Sequence, residues 1–205
     1  VTNGRNFECY SEDPLLTGAL AVSYIKGMQA KGVSATIKHF AGNESEIKRT
    51  TNSSEIDERS LREIYLVPFE MAVKEAGTWA IMSSYNKING NYAAENHWLL
   101  TQILRVEWGY DGIIMSDWFG SRTTAPTLNA GLNLEMPGPA RDRGDKLVDA
   151  VQAGDVSAQT VRSLALDMLR LMQRTGSLND HRPHQEFAED RPEHRALIRR
   201  AGAEG

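Results

Sequence analysis

The sequence is poor in features that define several large classes of protein. Its 205 residues contain a single cysteine, so no disulfide can form within the chain. No apolar run approaches the roughly 20 residues that a membrane-spanning helix needs. The net charge of -4 gives no reason to expect a nucleic acid or an anionic membrane as partner. These absences favour a globular protein and leave its cellular compartment open.

Motifs for cofactors and metals are missing as well. The sequence has no glycine-rich phosphate loop, no dinucleotide fingerprint and no ligand group at metal-binding spacing. The histidines between residues 181 and 200 lie in an arginine-rich stretch, and we interpret them as solvated side chains. We therefore expect a protein that needs no cofactor and no metal.

The sequence does contain a regular alternation of strand-like and helical segments. Short apolar runs predict strands at 33–38, 78–83, 112–117 and 133–135. Apolar spacing and capping residues predict helices at 14–31, 58–75 with a kink at Pro68, 98–108, 123–130, 144–153, 157–175 and 192–203. A long polar loop covers 41–56. Strands that alternate with helices through short connections predict a parallel α/β fold.

Residues suited to chemistry follow the strand ends in turn. They are Arg5, Lys38, His39, Tyr85, Asp117, Trp118 and Glu135. Because parallel strands bring their carboxyl ends to one rim, we expect these side chains to share a pocket. Charged groups that bond to hydroxyls, beside an indole that covers C–H surface, suit the recognition of a sugar.

Each of these residues also has a structural interpretation when it is taken alone. Asp117 could cap the next helix, and Glu135 could cap the turn at Pro137 and Gly138. His39 alone would more often be a structural histidine than a functional one. The occurrence of all these residues at successive strand ends favours a functional site.

Chemistry at the carboxyl ends of strands favours a (β/α)8 barrel, which needs about 250 residues and eight strands. The sequence holds four clear strands and room for a fifth before Gly4. We therefore expect a partial barrel, from its fourth or fifth strand to its eighth, that needs missing segments to close. Those segments belong either to the same, longer polypeptide or to another chain.

Eight short motifs occur in a specific order along the chain. They are Gly4-Arg5-Asn6-Phe7-Glu8, Ser11-Glu12-Asp13-Pro14, Lys38-His39-Phe40, Asp57-Glu58-Arg59, Leu61-Arg62-Glu63-Ile64-Tyr65, Ser84-Tyr85-Asn86, Met115-Ser116-Asp117-Trp118 and Glu135-Met136-Pro137-Gly138. Together they resemble the β-glucosidase branch of glycoside hydrolase family 3 and cover nearly all of residues 4–176. The loop 41–56 has no histidine, which argues against the N-acetylglucosaminidase branch.

The resemblance implies a role for each matching residue. Asp117 corresponds to the catalytic nucleophile. The other matching positions correspond to residues that bind substrate or line its subsite: Arg5, Lys38, His39, Tyr85, Trp118, Met82, Arg49 and Glu135. Among them, Arg49 would reach the aglycone side, Glu135 would line the floor, and Trp118 would form an aromatic wall.

The resemblance also implies an activity and a domain organisation. The activity would be that of a retaining exo-β-glycosidase that releases terminal non-reducing β-D-glucosyl residues from a β-glucoside or an oligosaccharide. Residues 1–176 would form the second half of the barrel, and residues 177–205 a linker and helix that lead towards an α/β-sandwich domain. That domain would supply the acid/base glutamate, so the 205 residues alone would be inactive.

Two other interpretations stay open at this point. A β-xylosidase or an α-L-arabinofuranosidase would share the features around Asp117, and a non-catalytic carbohydrate-binding remnant would belong to a different class. The oligomeric state is open too, a homo-oligomer included.

Overall fold

The structure, a computed structural model, describes residues 3–180, 185–186 and 188–204. The strands are β1 Thr36–Phe40, β2 Ser53–Ser54, β3 Ala80–Ser83, β4 Lys87–Ile88, β5 Asn91–Tyr92 and β6 Ile113–Met115. The α-helices are α1 Pro14–Gln29, α2 Glu58–Ser60, α3 Val67–Lys74, α4 Ala125–Ala130, α5 Asp145–Gln152, α6 Ala158–Arg174 and α7 Pro192–Glu204. Two segments are π-helical, Leu61–Tyr65 and Trp98–Glu107, and two are 3-10 turns, Asn6–Glu8 and Ala93–Glu95.

The main sheet has the order β1-β3-β6, and all three strands run parallel. Beyond β6, a single parallel bridge joins Met115 to Leu134. The outer side of β1 pairs with no other strand of the residues described here. The predicted mixed α/β architecture with parallel strands is confirmed, and the carboxyl ends of the strands point to one side.

A second, small sheet was not predicted. Its order is β2-β4-β5, with β2 parallel to β4 and β4 antiparallel to β5. The turn between β4 and β5 is Asn89-Gly90, and both residues have positive φ, +48° and +87°. Two positive φ angles are what a two-residue hairpin of this kind requires. This sheet holds part of the loop 41–56 over the rim of the main sheet.

The principal core lies between the main sheet and the helices. Side chains from the strands and from the π-helical segment Trp98–Glu107 are fully buried in it: Phe40, Ile81, Ile114, Leu99, Leu100, Ile103 and Leu104. The Phe40 ring meets Phe69 edge-on, with 4.9 Å between ring centroids. This packing holds β1 and β6 in place beneath the polar residues at the carboxyl ends of the strands.

Two predicted boundaries are wrong. The helix 58–75 is not one kinked helix, because α2 passes into a π-helical segment and α3 begins anew at Val67. Pro68 then stands in the first turn of α3, where its missing N–H leaves no hydrogen bond unmade. The strand 33–38 forms two to three residues later, so His39 lies within β1 rather than after it, and Lys38 is not its last residue.

The predicted strand 133–135 does not form either, and a side chain explains why. The Asn133 side-chain oxygen accepts the amide of Ile114 at 2.8 Å, in the position of a backbone carbonyl. The same oxygen accepts a bond from Arg105, and its amide nitrogen donates to Leu164 O and Asp167 Oδ2 at 3.1 and 3.0 Å. All bonding positions of this amide are occupied, which ties α6 to β6.

We expect Asn133→Ala to destabilise the protein by about 2–4 kcal/mol, because it leaves the buried Ile114 amide unpaired and removes the bonds to Arg105, Leu164 and Asp167. Chemical denaturation would measure the change. Asn129→Ala is a matched control, since Asn129 makes one exposed bond, to Asp155 O. Equal losses for the two variants would contradict the prediction.

The described residues near the C-terminus confirm the helix predicted at 192–203. The helix α7 is exposed along its length and carries His194, whereas His181 and His184 lie outside the described residues. Of the helices described, none combines the length and apolar character needed to cross a bilayer.

Candidate active site

The site is built at the carboxyl ends of β1, β3 and β6. His39 lies near the end of β1, Tyr85 two residues after β3, and Asp117 two residues after β6. Because these strands are parallel neighbours in one sheet, their ends share an edge. His39 and Asp117 meet across the end of the intervening strand β3.

The carboxylate of Asp117 is buried, with 8% of the residue exposed. Its Oδ1 accepts the backbone amide of Trp118 at 2.6 Å. Its Oδ2 lies 3.5 Å from His39 Nε2 and accepts no hydrogen bond from the described residues. One oxygen is therefore held by a backbone amide, and the other is buried without a hydrogen-bond partner among the described residues.

The imidazole of His39 is neutral at pH 7. Burial lowers the pKa of His39, and the positive charges of Lys38 and Arg5 act in the same direction, while the charge of Asp117 opposes them. A neutral ring at this position donates or accepts a hydrogen bond without adding charge to the pocket.

The lowered pKa of His39 has a consequence for stability. The unfolded chain takes up a proton at this histidine near pH 6.5, before the folded protein does. Stability is therefore expected to fall as the pH drops below about 6.5, by at most about 1.4 kcal/mol per pH unit from this group. Unfolding free energies at pH 7.5 and 5.5 would show the loss in the wild type and a smaller one in His39→Gln. His194→Gln, on exposed α7, is the control, and identical pH dependence in wild type and His39→Gln would contradict the prediction.

Tyr85 links the site to the loop that precedes β2. Its hydroxyl donates to Trp118 O at 2.7 Å. Burial and the negative charge of Asp117 raise the pKa of Tyr85, so the phenol stays protonated. The guanidinium of Arg49 lies 5.0 Å from the Tyr85 ring centroid and pairs with Glu46 at 3.2 Å. Arg49 is thus fixed at the rim by an aromatic face and a carboxylate.

Arg5 and Lys38 are joined by Glu8. Its carboxylate lies 2.5 Å from Arg5 Nε and 2.8 Å from Lys38 Nζ. Burial would raise the pKa of Glu8, but the bond to Lys38 and the charges of Lys38 and Arg5 outweigh it and lower this pKa. In this structure both cations pair with Glu8.

A cavity of about 370 Å³ opens beside these charges. Arg5, Glu8, Lys38 and His39 line one side of it, and aromatic and apolar residues line the other. Asp117 is not among its lining residues, so the cavity adjoins the carboxylate rather than enclosing it. It lies between the segment 3–12, α1 and β1.

The remaining predicted site residues differ in their placement. Trp118 leaves about half of its surface exposed next to Asp117. Met82 lies in β3, in register with Met115 of β6. Glu135 accepts the backbone amides of Arg141 and Asp142 at 3.0 Å, so its carboxylate holds the loop that follows it. These amides lie beyond the turn at Pro137 and Gly138, which the structural interpretation had Glu135 cap.

Sequence reasoning overlooked Arg141, which lies close to the Asp117 turn. No motif marks it, because its partners are backbone carbonyls some twenty residues away along the chain. Among the described residues, no three histidine, cysteine or carboxylate side chains form a group that could hold a metal ion.

The fold and the site define a parallel α/β protein with a buried carboxylate, a neutral imidazole and aromatic side chains at one rim of its sheet. Residues 1–171 match the family described as glycosyl hydrolase family 3 N terminal domain. The chain belongs to glycoside hydrolase family 3, and the resemblance inferred from its motifs is confirmed.

Relatives and solved structures agree with this assignment. The chain is 65% identical to a β-glucosidase of Rhizobium radiobacter over 99% of its length, and 50% identical to β-glucosidase B of Emericella nidulans over 98%. It matches β-glucosidase 3B of Thermotoga neapolitana in complex with glycerol at a TM-score of 0.92 and 40% identity, over 100% of this chain and 29% of that one. A β-glucosidase of Bifidobacterium adolescentis gives a TM-score of 0.89 at 44% identity, over 98% and 29% of the two chains. The chain spans 25% and 24% of the two curated relatives.

Proposed function

We propose that this chain is the second half of the (β/α)8 barrel of a retaining exo-β-glucosidase. Residues 1–176 form the half-barrel, and residues 177–205 form the linker and helix that lead to an α/β-sandwich domain. The observation that carries the proposal is the Asp117 carboxylate at the end of β6, with Oδ1 held and Oδ2 unpaired beside His39. High identity to named β-glucosidases supports glucose as the sugar.

In the first step, the Asp117 carboxylate forms a bond to the anomeric carbon while the bond from that carbon to the aglycone oxygen breaks. The departing oxygen takes a proton from a carboxylic acid on the other face. In the second step, water attacks the anomeric carbon and gives a proton to the external acid of the first step, which is now a carboxylate. The bond between the anomeric carbon and Asp117 breaks, and Asp117 is released. The backbone N–H of Trp118 on Oδ1 supports this role, because it orients the carboxylate.

The sugar is held by the charged groups around the cavity. Arg5, Lys38 and His39 donate to its hydroxyls, and Glu8 keeps the two cations at a fixed separation. Bonds of this kind strengthen as the oxocarbenium-like state develops, so they add to rate rather than only to affinity.

The other matching positions surround these groups. Trp118 covers the C–H face of the sugar, and Met82 packs beside it in β3. Arg49, fixed over the Tyr85 ring, reaches the aglycone side. The unpaired outer side of β1 is where the first half of the barrel would add its strands, which supports a single longer polypeptide as the working protein.

The acid/base group lies outside the described residues in this proposal. A general acid needs a raised pKa, whereas Arg5 and Lys38 lower that of Glu8. Glu135 is engaged by two backbone amides. The two carboxyl groups of a retaining enzyme stand about 5–5.5 Å apart, so the acid of this proposal would stand at that distance from Asp117.

The test is intact-mass spectrometry of the complete polypeptide after incubation with 2,4-dinitrophenyl 2-deoxy-2-fluoro-β-D-glucoside. The expected result is the gain of one fluoroglucosyl unit on the peptide that holds Asp117. A folded protein that takes no label would contradict the proposal. A panel of nitrophenyl glycosides would then separate a xylosidase or arabinofuranosidase, which turns over its own sugar, from a binding-only protein, which turns over none.

A further inference from the structure

The turn that carries Asp117 is held through its backbone carbonyls. Within the turn, Gly120 donates to Asp117 O at 2.8 Å, and Phe119 adopts a positive φ of +59°. A residue other than glycine with such a φ persists only where its surroundings enforce it. Outside partners occupy the next carbonyls, beginning with the Tyr85 hydroxyl on Trp118 O.

Arg141 holds the backbone carbonyls of Phe119 and Ser121. Its Nη2 donates to Phe119 O at 3.4 Å and also to Ser121 O. Its guanidinium lies 5.8 Å from the Phe119 ring centroid, so one side chain contacts both the backbone and the ring of this residue. A planar fork with several donors suits this bridging task, which a lysine ammonium cannot reproduce.

The loop that carries Arg141 is itself fixed. Glu135 accepts the backbone amides of Arg141 and Asp142, and Thr124 Oγ1 donates to Asp142 O at 2.7 Å. The Asp142 carboxylate, almost fully buried, receives Arg141 Nε and Nη2 at 3.3 and 3.2 Å. The guanidinium is thus held by Asp142, and the same Nη2 also donates to the carbonyls of the Asp117 turn.

We propose that Arg141 is a positioning residue for Asp117: it sets the 117–121 turn so that the carboxylate is aligned with the anomeric carbon, with Glu135 and Asp142 as its support. This inference rests on the proposed function of Asp117. Displacement of a reacting group by about 1 Å costs on the order of 10²-fold in rate, so a loosened turn would slow the bond-forming step. The hydrogen bonds to the sugar come from Arg5, Lys38 and His39, which this turn does not hold, and Trp118 keeps the Tyr85 hydroxyl on its carbonyl when Arg141 is replaced.

Arg143 provides a matched control two residues away in the same loop. It donates to Thr124 O, Thr127 Oγ1 and Leu132 O at 3.0–3.3 Å, and in the described contacts it holds none of the carbonyls of the 117–121 turn. Its loss would therefore disturb the loop and the stability of the protein without releasing Phe119 or Ser121.

The experiment measures the labelling of Asp117 by 2,4-dinitrophenyl 2-deoxy-2-fluoro-β-D-glucoside in the complete polypeptide, with the rate constant ki separated from the binding constant Ki. Arg141→Gln is expected to lower ki about 10- to 100-fold and to change Ki less than about threefold. Arg141→Lys should recover part of ki, and Arg143→Gln should keep it. Should a glutamine variant fail to fold, Arg141→Lys and Arg143→Lys make the same comparison.

Two results would overturn the inference alone: an unchanged ki in Arg141→Gln, or an equal loss of ki in the Arg141 and Arg143 variants. A wild type that takes no label would overturn the proposed function and this inference together. The two failures are therefore distinguishable in one set of measurements.

Discussion

Asp117→Asn is expected to abolish both hydrolysis of β-glucosides and covalent labelling in the complete polypeptide, with a loss in kcat of about 10⁴-fold or more. The amide is nearly isosteric with the carboxylate, so the backbone amide of Trp118 can still bond to the side-chain oxygen. The variant would present an uncharged, weakly nucleophilic group to the anomeric carbon. Folding should survive, which makes the loss attributable to chemistry.

Asp111→Asn is the matched control for this experiment. Asp111 precedes the amino end of β6, is exposed, and pairs with Arg174 at 2.6 Å. The same substitution there should leave kcat unchanged and cost less than about 1 kcal/mol of stability. Residual turnover or labelling in Asp117→Asn, measured in a preparation free of wild-type protein, would show that another group attacks the sugar.

The meeting of His39 and Asp117 could be anticipated from the sequence in outline. Apolar runs that end in polar residues predicted parallel strands, and parallel strands bring their ends to one edge. The pairing of these two side chains across β3, rather than with nearer neighbours, depends on how the sheet twists. That twist comes from the packing of the whole core, which no local pattern encodes.

The hairpin of β4 and β5 is a different case, because its signal was present and overlooked. Asn89-Gly90 is the dipeptide that a turn with two positive φ angles favours. Each flanking strand has only two residues, too short for an alternating pattern to mark it. In such a short hairpin, the turn dipeptide was the only available clue.

Asn133 and Arg141 mark the limit of sequence reasoning. Both side chains act on backbone groups distant along the chain: Asn133 on the amide of Ile114, and Arg141 on the carbonyls of Phe119 and Ser121. A polar side chain that substitutes for a strand partner or holds a turn has no spacing rule. Only the positions of the two loops reveal it.

Residues 1–205 on their own are expected to hydrolyse no β-glucoside at all. The sugar pocket has only the groups that the segment 3–12 and the strands β1, β3 and β6 supply, and the outer side of β1 is unpaired among the described residues. The experiment compares this segment with the complete polypeptide, after circular dichroism and proteolysis have shown that both are folded. Substrates with 4-nitrophenyl and 2,4-dinitrophenyl leaving groups separate two causes, since the second departs without help from an acid.

Turnover of neither substrate is the expected result, because a missing half-pocket removes binding as well as proton donation. Turnover of the dinitrophenyl glucoside alone would mean that the pocket is complete and only the acid is absent. Turnover of both, lost in Asp117→Asn, would contradict the proposed external acid. Glu44 would then be the first candidate for that role, because it lines the cavity beside Lys38 and His39 and desolvation raises its pKa.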